Sequence, residues 1–362
     1  SAQGFDLTNI DPRNFQVFAR GEEVHIYLGG ESDGVFDPND FIEFYATGND
    51  GRFDDGVYFD NPLNNANPYY SLYNDTIWYF VTWNNSITNA RISLEADINF
   101  AGYTPSPYIW RDEVDELHNQ YFFGQGYVQT GGSTSPLYTG GEGFYGYLFD
   151  GGWTDSFWNL NTQFRYTSGP SSQVEISLVG ESNNDKTVRI QGAGLLVDTL
   201  IQGYSPFRGN FTVPTSALGA NTTNFTFSVP GVGSAYKALV AFVRIRFPQT
   251  PNLGGVTTAR FLVDDNPNYP TQLKSYVQLS GYTPSTPRVY DITNHKRISV
   301  SNNSFLIPDN GALKECFITG ENLITAIPAL IPAGANAATA YFTDFNALDP
   351  ATDYFAIGHP RM

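Results

Sequence analysis

Cysteine is all but missing from these 362 residues: Cys316 stands alone, which excludes an intrachain disulfide, and no Cys/His cluster has zinc-ligand spacing. That weakens a eukaryotic secreted origin without requiring a cytoplasmic one, since many bacterial surface proteins lack cysteine. Charge is sparse, at 15% of residues, and basic charge sparser still, with 19 Lys and Arg against 36 Asp and Glu. The resulting net charge of −17 repels phosphate backbones and anionic membrane surfaces, so nucleic acid is set aside as a partner. Such acidity fits solubility outside a cell, and calcium sites are the other reading of it. No run of about 18 apolar residues occurs, so no membrane span is expected. Ser1 opens no charged-then-apolar leader, and the chain reads as a mature or excised piece.

Aromatics, by contrast, reach 15%, alongside 35 glycines and 22 prolines. With helical periodicity scarce, this composition predicts an all-β, loop-rich protein of two or three domains. The densest stretch runs from Phe36 to Trp83, where aromatics alternate with Asp, Asn and Gly. Phe41–Tyr45 and Thr76–Trp83 read as strands, and Gly48-Asn49-Asp50-Gly51 and Asn61-Pro62 as turns between them. Phe15–Phe18 and Val24–Leu28 read as a hairpin around Arg20-Gly21-Glu22-Glu23. Arg111–Phe123 is the best helical candidate, with Val114, Leu117 and Tyr121 at spacings of three and four.

Farther on, Gln173–Val179, Thr187–Ile190, Phe225–Val229, Ala238–Phe247 and Val256–Val263 are short strands, separated by turn signals such as Glu181–Asp185 and Pro230–Gly233. Regular spacing of this kind predicts a β-sandwich with jelly-roll-like pairing. The expected organisation is two consecutive β-sandwich or jelly-roll-like domains with at most a short helix. An N-terminal β-rich domain spans 1–158, a β-sandwich 159–300, and a connector with short strands 301–348. Residues 349–362, containing Asp353–Pro360, read as the first strand of a truncated next domain.

Several segments resemble, in order, the upstream region of gingipain-type cysteine peptidases of Bacteroidota, a group that includes the type IX secretion sortase. They are Asn9–Phe18, Phe36–Tyr45 (the strongest), Asn67–Thr76, Gly141–Gly146, Val289–Thr293 and Asp353–Pro360. The resemblance implies a noncatalytic accessory region that packs on its own peptidase domain, with the Cys–His dyad beyond Met362. It further implies a secreted or outer-surface location in a bacterium. The implied partners are that peptidase domain, secretion-system or envelope proteins, and a protein substrate. His359 is by position not the family's catalytic histidine.

Residue by residue, no catalytic group is assigned. Cys316 alternates into a strand, as a buried structural thiol does. His25 and His295 are lone residues in strand-like or turn contexts, and His118 lies on the candidate helix. The oxygen-rich loops, Asp33, Asp37 and Asp40, and then Asn49, Asp50, Asp54 and Asp55, are the sole ligand-rich groups, with Asp50, Asp54 and Asp55 as the calcium candidates. Their spacing is not that of an EF-hand, and Asx residues also make turns unaided. Paired carboxylates with aromatics raise a glycosidase, yet nothing marks a cleft. The alternative to the accessory reading is therefore an autonomous carbohydrate- or calcium-binding adhesion module, with an inhibitor of its own enzyme as a third reading.

Overall fold

The computed structural model describes residues 10–58, 61, 64–124, 138–152, 155–327 and 330. The protein is all-β: among the described residues regular structure is strand, joined by short 3-10 turns.

The N-terminal unit begins with a hairpin where one was expected, but its second strand is Glu22–Val24, and most of the expected Val24–Leu28 strand belongs instead to Ile26–Gly29, which pairs elsewhere. Phe15–Ala19 and Glu22–Val24 are joined by Arg20 (φ 53°) and Gly21 (φ 81°), two positive-φ residues that make the turn matching strand twist. Phe80–Trp83 pairs on the other side of the first strand. A second pair, Ile26–Gly29 with Phe41–Phe44, packs against this sheet. Alternation puts Phe15, Val17, Ile26 and Leu28 into the shared core with Ile42, Phe44 and Val81.

The second unit is a β-sandwich. Its first sheet runs Pro206–Val213, Ser172–Gly180, Lys237–Gln249 and then Ile109–Glu116, all antiparallel. The facing sheet runs Asp155–Asn161, Thr222–Ser228, Lys186–Gly192 and Leu195–Ile201. Val174, Ile176, Leu178, Val243 and Ile245 of the first meet Val188, Ile190, Phe225 and Phe227 of the second in one core. Each such side chain, fully buried, contributes about 1.5–3 kcal/mol.

The third unit continues the first sheet. Thr258–Val263 joins Ile109–Glu116 through the single register pair Leu262 and Trp110. Lys314–Gly320, Pro287–Asp291 and Lys296–Ile298 follow antiparallel, and Ser93–Glu95 closes the sheet in parallel. The two-stranded antiparallel sheet of Lys274–Gln278 and Ser304–Pro308 covers it, burying Val277, Phe305 and Ile307 against Phe261, Val289, Cys316 and Ile318.

Two expectations change. Residues 111–123 form no helix: Ile109–Glu116 and Gln120–Phe123 are strands. Asp112 reaches across the sheet to Arg244 (3.0 Å) and Arg246 (2.7 Å), and this cross-strand pairing settles a segment whose three-four apolar spacing was coincidental. Burial acts to raise the Asp112 pKa, and the two guanidiniums outweigh it and hold the carboxyl low. Strand pairing also crosses the expected boundary at 300, because Pro287–Asp291 hydrogen-bonds Lys314–Gly320 and both belong to one core. The expected terminal strand at 349–362 lies outside the described residues.

Candidate functional site

The strand Phe41–Phe44 and the residue after it divide their side chains between two jobs. Ile42 and Phe44 turn into the N-terminal core, which leaves Glu43 and Tyr45 facing the third unit. Glu43 is nearly buried, its carboxylate accepting from Arg288 and from the Tyr290 hydroxyl, with Arg297 at 3.9 Å. Arg297 in turn lies 4.5 Å over the Tyr27 ring. Burial pushes the Tyr290 hydroxyl pKa up, and the hydrogen bond to Glu43 adds to it, so Tyr290 stays a donor. The ring of Tyr45 meets Phe317 at 5.1 Å and lies under the Arg260 guanidinium at 5.8 Å, while Arg260 pairs with Glu315. Glu43 and Tyr290 come from Phe36–Tyr45 and Val289–Thr293, two separate segments of the sequence resemblance that the fold brings into contact.

Beside this contact lies a cleft of about 380 Å³ between the two units. Its walls include Tyr45, Tyr79, Arg20, Arg260, Glu315, Ile292, His25 and His295. The positive-φ turn places Arg20 at the rim, where it hydrogen-bonds Asn49 (3.0 Å) and stands 3.8 Å from Asp50. Tyr79 is fixed by accepting from the Thr47 amide (2.9 Å) and donating to the Thr47 carbonyl (3.3 Å). His295 sits in a turn with φ 52°, pinned by Asp291, whose carboxylate accepts from the Asn294 amide at 3.0 Å and its side chain at 2.7 Å. Sequence reasoning missed this cleft because His25, Tyr45, Arg260 and His295 lie far apart in the chain. One signal was present: an aromatic, Tyr45, on the outward side of a strand whose inward side is apolar.

Of the calcium candidates, Asp50 and Asp55 stand near enough to Asp54 to act on its charge, and each of the three is engaged in a turn. Asp50 caps the 3-10 turn Gly51–Val57, accepting from the Arg52 amide at 3.1 Å, and pairs with the Arg52 side chain. Asp54 is buried and accepts from the Leu72 amide (2.6 Å) and the Ser71 hydroxyl (3.3 Å), burial holding its pKa up. Asp55 accepts from the Asn65 side chain at 2.8 Å. Asp33 and Asp40 accept from the amides of Val35 and Asp37. These acids anchor turns, and among the described residues no group of three or more His, Cys, Asp or Glu is arranged to hold a metal ion. Cys316 is fully buried, burial pushing its pKa well up, so it stays a thiol without nucleophilic character. His118 stacks on Tyr70 at 4.1 Å and touches Glu116 at 3.3 Å. His359 lies outside the described residues.

The segments Asn67–Thr76 and Gly141–Gly146 also meet, as a clamp on the sandwich. Asn67 donates to the carbonyls of Leu117 (3.2 Å) and Phe144 (3.4 Å), the Tyr58 hydroxyl donates to the Glu142 carbonyl (2.5 Å), and the Ser177 hydroxyl donates to the Ala66 carbonyl (2.8 Å). Gly51 lies against this clamp: a Cβ there would stand 2.3 Å from the Asn67 carbonyl oxygen and 2.7 Å from that of Tyr70. Gly51→Ala is expected to destabilise by about 2 kcal/mol, since backbone must shift. Urea unfolding checks this, and an unchanged midpoint would show that the loop yields freely.

No protein-family model matches the chain, and no curated protein matches it. Among solved structures it is similar to the CBM36-1 domain of a multidomain xylanase from the hindgut metagenome of Trinervitermes trinervoides, at 14% identity over 38% of this chain and 95% of that one, TM-score 0.21. It is similar also to a CBM36 carbohydrate-binding module in complex with calcium and xylotriose, at 10% identity over 36% and 98%, TM-score 0.22. A β-porphyranase of glycoside hydrolase family 86 from Bacteroides plebeius matches 65% of this chain and 30% of its own at 9% identity, TM-score 0.21. Likenesses this slight carry no argument about what the chain binds. No helix among the described residues is long and apolar enough to cross a membrane, which leaves strand-built spans unaddressed.

Proposed function

We propose that the chain is a noncatalytic binding module whose ligand lies in the cleft between the N-terminal and third units. The carrying observation is that two distant segments, Phe41–Tyr45 and Val289–Thr293, are locked together by Glu43 and Tyr290 beside a concave surface of rings and paired charges. A saccharide fits that lining. Tyr45 and Tyr79 supply ring surface to the apolar face of a sugar, and Arg20, Arg260 and Glu315 supply donors and acceptors at its rim. Glycan-array screening followed by calorimetry tests this. Arg20→Ala, whose side chain is at the rim and outside every core, is expected to weaken the best glycan at least about tenfold, or 1.4 kcal/mol, with the melting temperature unchanged. Binding that is insensitive to Arg20→Ala moves the site elsewhere, and an array blank with and without calcium ends the saccharide reading.

A second reading concerns what the module serves. By the sequence resemblance, whose segments Asn67–Thr76 and Gly141–Gly146 meet in one clamp, it would be the accessory region of a secreted or cell-surface gingipain-type peptidase, docking on the peptidase domain or on envelope partners. In that reading residues 1–362 hydrolyse no peptide, and the chain co-purifies with the separately produced peptidase domain. Thiol-sensitive hydrolysis abolished by Cys316→Ala would end it.

A further inference from the structure

The cleft carries one contact that ligand binding does not require. His25, between Glu22–Val24 and Ile26–Gly29, stacks on His295 with ring centroids 3.4 Å apart and planes 7° from parallel. The two rings belong to different units, so the stack bridges the wall of the cleft. Backbone bonds flank it along one strap: the Ile26 amide donates to the Ala90 carbonyl (3.4 Å), the Ile92 amide to the Ile26 carbonyl (2.7 Å), and the Ser93 amide to the His295 carbonyl (3.0 Å). Strap, stack and turn are thus tied to one another by these contacts.

We propose that the His25–His295 stack is an acid-sensitive latch, holding the wall of the cleft while the pair carries at most one proton and releasing it when both rings are charged. Face-to-face imidazoles at this separation tolerate one charge, but two like charges repel at the shortest distance the rings allow. The surrounding charges offset that repulsion only in part: Glu23 favours the charged form of His25, but less than burial and the second imidazole oppose it. On the same elements, Glu22 is exposed, and Glu23 is engaged in accepting from the Ala90 amide at 3.0 Å. Lys296 adds positive charge next to His295, donating to Ser93 at 3.1 Å. From the facing elements, Arg20 stands by Asp50, Arg91 pairs with Glu31, Arg260 pairs with Glu315, and Arg288 and Arg297 share Glu43. The Asp291 carboxylate is buried and taken up by Asn294.

Burial first, and then the second imidazole, lower the His25 pKa from its ordinary 6.5, with Glu23 opposing. A lowered folded value means that the closed state is intact above 6.5 and is lost as pH falls through the lowered value. The inference rests on the cleft being the module's site, but its test reads the wall and not a ligand, so a blank glycan array leaves it untouched.

With four histidines in the chain, imidazole resonances can be followed individually by NMR. His25 is expected to titrate below its ordinary 6.5, and His295→Asn moves it back toward that value. Amide exchange of Ile92 and Ser93, corrected for its intrinsic pH dependence, is expected to accelerate about tenfold between pH 7 and pH 5. The His25→Phe/His295→Phe variant keeps two stacked rings without charge and loses that acceleration. A His25 titration that His295→Asn leaves unmoved overturns the latch, as does equal acid loosening in the double-Phe protein. The wild-type titration stands by itself even where the double variant fails to fold.

Discussion

Lys314→Ala is expected to destabilise the protein by about 3–5 kcal/mol, the largest effect of any single substitution considered, because it strips the cation from a buried ionic cluster. The Lys314 side chain is fully buried, and its ammonium donates to Asp265 and, at 3.0 Å, to Asp309, which is also fully buried. Each acid has other anchors. Asp309 accepts from the Ser275 hydroxyl (2.7 Å) and the Asn266 amide (2.9 Å), and Asp265 from the amides of Gly311 (2.7 Å) and Asn310 (3.3 Å). With the lysine gone, two carboxylates stay in place without a counter-charge, and desolvation that the ion pair had offset is exposed in full. Lys314→Met, which keeps the volume, is expected to do little better. Adding Asp309→Asn to Lys314→Met is expected to recover part of the loss, since replacing a whole buried pair is far cheaper than breaking one.

Burial acts to raise the Asp265 pKa, and the hydrogen bond and charge of Lys314 overcome it and hold the carboxyl below its ordinary 3.8. That contribution is present above 3.8 and disappears as pH falls through the lowered value, so the Lys314→Ala penalty shrinks in acid. Urea titrations at neutral and low pH measure both. A neutral-pH loss under about 1 kcal/mol would mean that water reaches the cluster and screens it.

Glu43→Ala carries the second large effect, about 3 kcal/mol, and a different signature. Its carboxylate is the shared acceptor for Arg288, Tyr290 and Arg297, and both Glu43 and Arg288 are nearly excluded from solvent. Removing it leaves a guanidinium and a phenol without their acceptor in the seam between two units, while the core of each unit is untouched. The expected result is loosening of the N-terminal unit from the third, read as faster amide exchange at Ile92 and Ser93 with sandwich strands such as Ser172–Gly180 still protected. Tyr290→Phe, which removes one neutral donor, is expected to cost only about 1 kcal/mol. Uniform loss of protection throughout the chain in Glu43→Ala would instead make the seam part of a single cooperative unit.

The same residues divide what could be read from the chain and what could not. Strand identity was legible where alternation held, as in Phe15–Ala19 and the first half of Ser172–Gly180, and where a continuous β-branched and apolar run such as Ala238–Val243 is buried on both faces. A turn within Arg20-Gly21-Glu22-Glu23 was legible from Gly21, while the positive φ of Arg20 and the pairing of Glu22 and Glu23 in a strand were not. Arg111–Phe123 shows an apolar three-four spacing within a run of consecutive charges, which has no strand alternation of its own, and Arg244 and Arg246 on the neighbouring strand supply the partners that make it a strand. The oxygen-rich loop at Asp50, Asp54 and Asp55 was legible as polar and turn-forming, but turn anchors and metal ligands have one composition, and convergence in space separates them.

By itself, then, the chain determined its class: acidic, free of disulfides, all-β, with Cys316 committed to a strand. Side-chain periodicity and backbone stereochemistry act within a few residues, and they sufficed for that. Tertiary structure alone decided that Phe41–Tyr45 would meet Val289–Thr293, that His25 would stack on His295, that Lys314 would be closed in between Asp265 and Asp309, and that a cleft would open beside Tyr45. Each of these is a contact between strands distant in sequence. Its register is set by the packing of whole cores, and no local pattern of residues encodes which distant strand becomes the neighbour.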